Sequence, residues 1–256
     1  MQNKLLGQHW LYDEVSLEAV VDAAGVISDD TVLEVGPGLG TLTNKLLDRG
    51  ANVVAIEKDL NLAKRLEAKK IQNLQVIEAD ILQYDLTSLP KGYKVAANIP
   101  YYLTSALIRM LLESDNKPAQ IGILIQKEVA ERIVAGPGKM SVLSFAVQYY
   151  ADVDLDIIVL AKLFDPPPKV DSQIISIKPF SEPIFDADQK LLFRLVKAGF
   201  SEKRKKLRNA LSGGLNLEKD KIGEIMDNAN IEPTIRAQEL SIDQWKALYT
   251  SYKSAV

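Results

Sequence analysis

In the stretch KVAANIPYYLTSALI, a strand-like run stops and a helix-like one begins, with Asn98, Ile99, Pro100, Tyr101 and Tyr102 between them. A strand-to-helix turn ordinarily uses Gly, Asp or Ser. This one offers an amide, an imino acid and aromatic rings, a set suited to the exocyclic amine of a nucleobase. Such an amine is a poor nucleophile, because its lone pair is delocalised into the ring. Two acceptors on its N–H groups would draw the nitrogen towards tetrahedral geometry. Asn98 Oδ1 supplies one, and the Pro100 carbonyl, aimed by the fixed φ of proline, supplies the other. Tyr101 offers a flat face to a flipped-out base, a contact worth roughly 1–3 kcal/mol. No general base need act before attack, since the amine becomes acidic only once alkylated.

A second aromatic stands in FDPPPKVDS, where Pro166, Pro167 and Pro168 stiffen the chain after Phe164. Phe164 is expected to stack on the other face of the same base, although a Phe before prolines also serves as plain packing. The stretch LEVGPGLGTLT follows a strand and opens a helix. Gly36, Gly38 and Gly40 there allow a ligand to approach the backbone closely. Glu57 ends the next strand, 21 residues after Gly36, where an acid can take both hydroxyls of a ribose. Asp80 ends the third strand, where it either accepts from an adenine amine or caps a helix. Together these positions outline a nucleoside site on one sheet edge. The Gly-Pro-Gly order, the reversed hairpin described below and the added N-terminal segment favour S-adenosylmethionine over NAD, and no P-loop lysine is present.

The elements that must position these residues follow from periodicity. Apolar, β-branched runs recur at 31–36, 52–57, 74–79, 93–98 and 120–126, alternating with amphipathic helical stretches. That alternation predicts a parallel sheet covered on both faces. The runs 153–161 and 172–179 are joined by a Pro-rich link too short for a crossover helix, so this pair is expected to be antiparallel. The expected fold is α/β, Rossmann-like: a seven-stranded, mostly parallel sheet with a reversed last strand. After Lys178-Pro179 the pattern becomes helical, with Ser201 and Ser241 as expected N-caps and Gly213-Gly214 as a stop. Residues 1–180 are expected to form a catalytic domain, and 181–256 a small all-helical domain.

Composition narrows the chemistry. The 256 residues include no Cys and one His, so disulfides, thiolate metal sites and a cysteine nucleophile are excluded and no metal site is expected. No run approaches the roughly 18 apolar residues of a membrane span. With no signal-peptide pattern at the N-terminus, a cytoplasmic protein is expected. Net charge is −3, but it is uneven. Residues from 179 onward carry 13 Lys and Arg against 11 Asp and Glu, while 1–178 carry 18 against 23. The basic excess concentrates in SEKRKKLR, at Lys203, Arg204, Lys205, Lys206 and Arg208. A charge run is often a solvated face; beside a nucleobase site it reads as phosphate contacts.

Six stretches, LLGQHWL, EVGPGLG, NIPY, QKEVAERIVAGPG, FDPPPKVDS and FSEKRKKLRNAL, occur in the order and spacing of the ribosomal RNA adenine dimethyltransferases. The chain resembles that family, in its small-subunit (16S rRNA) branch, from residue 4 to about 250. The resemblance implies S-adenosylmethionine as methyl donor and N6,N6-dimethyladenosine as product, at two adjacent adenosines near the 3′ end of 16S rRNA. It also implies a role in maturing the small subunit, with immature subunits as partner. A monomer is the default expectation. Carried over residue by residue, the cofactor contacts are the His9 and Leu11 positions, Gly36, Glu57, Asp80 and Asn98. His9 stands where the family usually has Asn, and Trp10 where it has Phe. AGPGKMSVLSF is shorter than the family's loop and lacks its Tyr-Gly-Arg. Two alternatives share features with this reading: a resistance-type methyltransferase acting on 23S rRNA, and a non-catalytic ribosome-assembly factor.

Overall fold

The computed structural model describes residues 9–256; Leu5–Gln8 of the LLGQHWL stretch lie outside the described residues. The chain runs through β1 (Trp10–Leu11), α1 (Glu14–Ala23), β2 (Thr31–Val35), α2 (Thr41–Asp48), β3 (Asn52–Glu57), α3 (Leu60–Glu67) and β4 (Leu74–Glu78). It continues with β5 (Lys94–Asn98), α4 (Thr104–Glu113), β6 (Gln120–Gln126), α5 (Lys127–Ile133), α6 (Val142–Tyr150) and β7 (Ala151–Val159). After β8 (Phe164–Asp165) and β9 (Ser172–Pro179) come α7 (Gln189–Phe200), α8 (Leu207–Leu215), α9 (Lys219–Asn228) and α10 (Ile242–Ala255).

Seven strands form one sheet in the order β4-β3-β2-β5-β6-β9-β7. β2 to β6 pair in parallel, and β9 runs antiparallel to both β6 and β7, which is the expected reversed strand. The central strands are apolar on both faces because helices cover both: Val95–Ala97 and Ile123–Ile125 are fully enclosed. Strand order reverses between β2 and β5, so a crevice opens beyond their carboxyl ends. Gly36 follows β2, Glu57 ends β3 and Asn98 ends β5, which brings all three to that crevice. The link from β7 to β9 holds no crossover helix, as its length predicts, but it contains a strand that periodicity does not reveal. β8 pairs antiparallel with β1, setting Trp10 opposite Asp165 and Leu11 opposite Phe164.

The chain divides into two compact units. One holds the described residues up to Glu131 and Ala151–Phe180; the other holds Arg132–Tyr150 and Ser181–Val256. The break after Phe180 falls where the composition changes. Segment 132–150, in contrast, groups with the C-terminal helices, because its aromatic residues pack among theirs. Phe145 lies edge-on to Trp245 and Phe193, with ring centroids 5.9 and 6.0 Å apart, and Tyr149 donates its hydroxyl to the Phe185 carbonyl at 3.1 Å.

Two local expectations in the second unit need correction. Ser201 is not an N-cap: it is the C-cap of α7, and its hydroxyl donates to the Ala198 carbonyl. The next helix begins only at Leu207, so the basic run lies mostly in a turn. Gly213-Gly214 do not stop α8, which ends at Leu215 with Asn216 in the left-handed region. The glycine at 214 serves packing: an added Cβ would lie 2.7 Å from Ala198 Cβ of α7. Ser241 does cap α10, in a reciprocal box with Gln244. No helix among the described residues is long and apolar enough to cross a membrane, and no cluster of His, Asp or Glu there is placed to hold a metal.

Candidate active site

One cavity, built within the first unit, gathers the residues singled out in the sequence. His9, Leu11, Gly36, Gly38, Glu57, Asp80, Asn98, Pro100, Tyr101 and Phe164 all line it. Each reaches it from the end of a strand or from the β1–β8 ribbon.

The glycine loop forms the floor. Gly36 has φ +70° and donates its amide to the Ile56 carbonyl at 2.9 Å, and a Cβ added there meets nothing within 4 Å. The backbone at Gly36 is therefore bare towards open space, as close approach of a ligand requires. Gly38, at φ +56°, is enclosed instead: an added Cβ would lie 2.3 Å from the Trp10 ring. Trp10 thus lies directly on the loop, a packing role that residue type and spacing do not reveal.

Glu57 ties the loop to β3. Its Oε2 accepts the Gly38 amide at 3.1 Å and its Oε1 accepts the Asp59 amide at 2.9 Å. Burial raises its pKa, and those two amide bonds oppose the rise. Each oxygen keeps a second lone pair for a hydroxyl. Asp80 fills one of its two expected roles, the cap. Its Oδ1 accepts the Leu82 amide at 3.1 Å and so caps the short 3-10 turn Ile81–Gln83. Its Oδ2 accepts from Lys58 Nζ at 2.7 Å, and that ammonium holds the carboxyl below its usual range.

The turn after β5 brings Asn98, Pro100 and Tyr101 to the cavity. The Asn98 side chain makes no hydrogen bond to any described residue, which leaves its oxygen free to accept in the cavity. The Pro100 carbonyl accepts the Leu103 amide at 2.9 Å, so one of its two lone pairs is already engaged. Tyr101 is half-buried: its hydroxyl pairs with Ser172 Oγ at 2.8 Å, and its ring stacks on His9 at 6.1 Å between centroids and 25° between planes. Phe164 borders the same cavity while packing in the core with Leu11, Val159 and Ile174. Tyr102, 65% exposed, stands at the rim.

Glu34 escapes a reading of the sequence because it sits inside an apolar strand. It is 1% exposed, between Ala55 and Ala96 on the neighbouring strands, and it borders the cavity from below the loop. Among the described residues its Oε2 has no hydrogen-bond partner, nor does the buried hydroxyl of Thr43. Burial pushes its pKa up to about 8; the nearby hydroxyl and amide dipoles of Thr43 oppose the rise and the Glu57 charge adds to it. The only sequence signal is a charged residue amid Thr-Val-Leu and Val-Gly, where a buried central strand is expected.

The basic cluster belongs to the second unit. Lys205 pairs with Glu202, and Arg208 bridges to Asp220 at 2.9 Å and to the Lys219 carbonyl at 2.8 Å, joining α8 to α9. Lys203, Arg204 and Lys206 are exposed and pair with no carboxylate among the described residues.

Known proteins resemble this chain over nearly its whole length. The model of the family described as "Ribosomal RNA adenine dimethylase" matches residues 1–253. The chain is 40% identical, over 255 residues, to ribosomal RNA small subunit methyltransferase A of Dehalococcoides mccartyi (strain CBDB1), covering 97% of this chain and 88% of that protein. Its fold is similar to a dimethyladenosine transferase from Plasmodium falciparum, with TM-score 0.81 and 27% identity, covering 96% of this chain and 98% of the other. It is also similar to the 23S rRNA methyltransferase ErmE, with TM-score 0.75 and 26% identity, covering 95% and 99%.

Proposed function

The chain belongs to the ribosomal RNA adenine dimethylase family, and on that premise we propose that it dimethylates two adjacent adenosines near the 3′ end of 16S rRNA. It is an S-adenosylmethionine-dependent rRNA adenine dimethyltransferase. The proposal extends to its setting: a cytoplasmic monomer acting on rRNA in an immature small subunit, as part of that subunit's maturation.

The residues present fit the cofactor. Bare backbone at Gly36, unused lone pairs on Glu57 and Asp80, and the flanking Leu11 and Gly38 suit an adenosine with its ribose hydroxyls. His9 and Asn98 border the remainder of that space. When bound, S-adenosylmethionine supplies an electrophilic methyl group on a sulfonium sulfur.

The chain's own part is to hold the target amine. Asn98 Oδ1 and the free lone pair of the Pro100 carbonyl accept its two N–H groups and localise the nitrogen lone pair. Tyr101 supports one face of the flipped base, and Phe164 borders the other. In a second round the monomethylated amine has one N–H left, so one acceptor holds it while the other faces a methyl group. The exposed Lys203, Arg204 and Lys206 contact rRNA phosphates, and Lys205 and Arg208 extend that basic surface.

The observation that carries this reading is the side-chain amide of Asn98, unpartnered among the described residues, in the same cavity as Gly36, Glu57 and Asp80. The test is transfer of tritiated methyl from S-adenosylmethionine to immature small subunits, followed by mapping of N6,N6-dimethyladenosine. Label at two adjacent adenosines near the 3′ end of 16S rRNA is expected. Label only in 23S rRNA offered in a parallel reaction, or binding to the small subunits without incorporation, overturns the proposal.

A further inference from the structure

His9 is the chain's one histidine, and its ring makes two contacts that join separate parts of the pocket. Its Nδ1 lies 2.7 Å from the Pro166 carbonyl, which can only accept, so Nδ1 carries the proton. Its ring stacks on Tyr101, at 6.1 Å and 25°. The position explains the first contact. The β1–β8 ladder pairs Leu11 with Phe164 and Trp10 with Asp165, so the next pair would be His9 with Pro166. Proline has no amide to donate, and an imidazole N–H takes the carbonyl left at that end.

Tyr101 is therefore held at both ends, by Ser172 at its hydroxyl and by His9 at its ring. The same imidazole grips the residue two positions beyond Phe164. Resting on the functional reading above, we propose that His9 is a positioning residue for the target base: it fastens the Phe164-bearing link to the Tyr101 ring, so the two aromatic walls keep a set spacing. This differs from a cofactor contact, the role expected of its position from the family resemblance, and the two roles separate cleanly by measurement. A wall-spacing residue affects use of the RNA and leaves cofactor affinity nearly intact.

The test uses the full chain with immature small subunits, and binding of S-adenosylmethionine alone measured by calorimetry. His9→Ala is expected to lower kcat/KM for the subunits about 10-fold, as removal of one ring stack and one hydrogen bond implies. Its dissociation constant for S-adenosylmethionine should stay within about threefold of wild type, a shift of under 1 kcal/mol. His9→Asn can still donate to the Pro166 carbonyl but loses the ring. His9→Phe keeps the ring but loses the donor. Each should recover part of the His9→Ala deficit, a split that general destabilisation does not produce and that survives if the alanine variant folds poorly. Wild-type kcat/KM in His9→Ala overturns the inference. So does a drop in cofactor affinity as large as the drop in kcat/KM, or a failure of both His9→Asn and His9→Phe to improve on alanine. If wild type itself transfers no methyl group, the functional reading fails first and the inference falls with it, an outcome distinct from the others.

Discussion

Replacing Glu34 by Gln isolates the cost of a buried carboxyl under the glycine loop. Glu34 is fully enclosed, and burial raises its pKa from the ordinary 4.5 to about 8. An acid whose pKa is raised on folding binds its proton more tightly in the native state. Its contribution is therefore most favourable below pH 4.5 and declines as pH rises towards 8. The full span corresponds to about 5 kcal/mol, of which about 3 kcal/mol is already gone at pH 7. Gln has the same shape and no proton to lose, so Glu34→Gln should match wild type at pH 4.5 and exceed it progressively up to pH 8. The assay is urea unfolding at pH 4.5, 6, 7 and 8.5, followed by the fluorescence of Trp10 in a Trp245→Phe background, so that the first unit is observed. A stability difference between Glu34→Gln and the parent that does not change with pH would refute the reasoning. It would mean that Glu34 is charged in the native state or is reached by water.

Three further outcomes follow from the site. Asn98→Ala removes an acceptor that acts on the reacting nitrogen, so methyl transfer should fall by about 10²-fold or more while the S-adenosylmethionine dissociation constant rises only a few-fold; full activity would remove the amine clamp. Gly36→Ala and Gly38→Ala should differ: at Gly36 there is room, so the strain of a positive φ costs about 1–2 kcal/mol and cofactor affinity takes the larger loss, whereas at Gly38 the Trp10 ring is in the way and denaturation should show a larger loss of stability with a shifted Trp10 emission. Reversing charge at Lys203 and Arg204 together should weaken rRNA binding and lower the slope of log affinity against log salt by about 1 for each phosphate no longer neutralised; an unchanged slope would mean that these side chains only solvate the surface.

Much of the fold is legible in the order of residues. The central parallel strands are recognisable because they are largely apolar on both faces, and the reversed β9 because a short Pro-rich link cannot carry a crossover helix. Local chemistry also reads directly: the Asn-Ile-Pro-Tyr turn, the glycine loop, and the acids at strand ends. Pattern fails at local boundaries set by packing. The charge run at 201–206 has helical composition, but α7 ends at Phe200 and Ser201 closes it. Gly213-Gly214 look like a stop, yet helix α8 runs through them, and at Gly214 the missing Cβ lets the helix approach Ala198 closely.

The amino-acid order alone determined which residues could act as a nucleoside site and an amine clamp, since those depend on residue type, turn chemistry and spacing along one strand or loop. Only the tertiary structure decided that Glu34 is buried with one oxygen unpaired among the described residues, that Lys58 occupies one oxygen of Asp80, and that Trp10 covers Gly38. It also decided that β1 pairs with β8, which puts His9 between Tyr101 and Pro166. These are contacts between residues up to 157 positions apart. Pattern and propensity carry information over a few residues, whereas such contacts exist only once the whole sheet has assembled and brought its strand ends together.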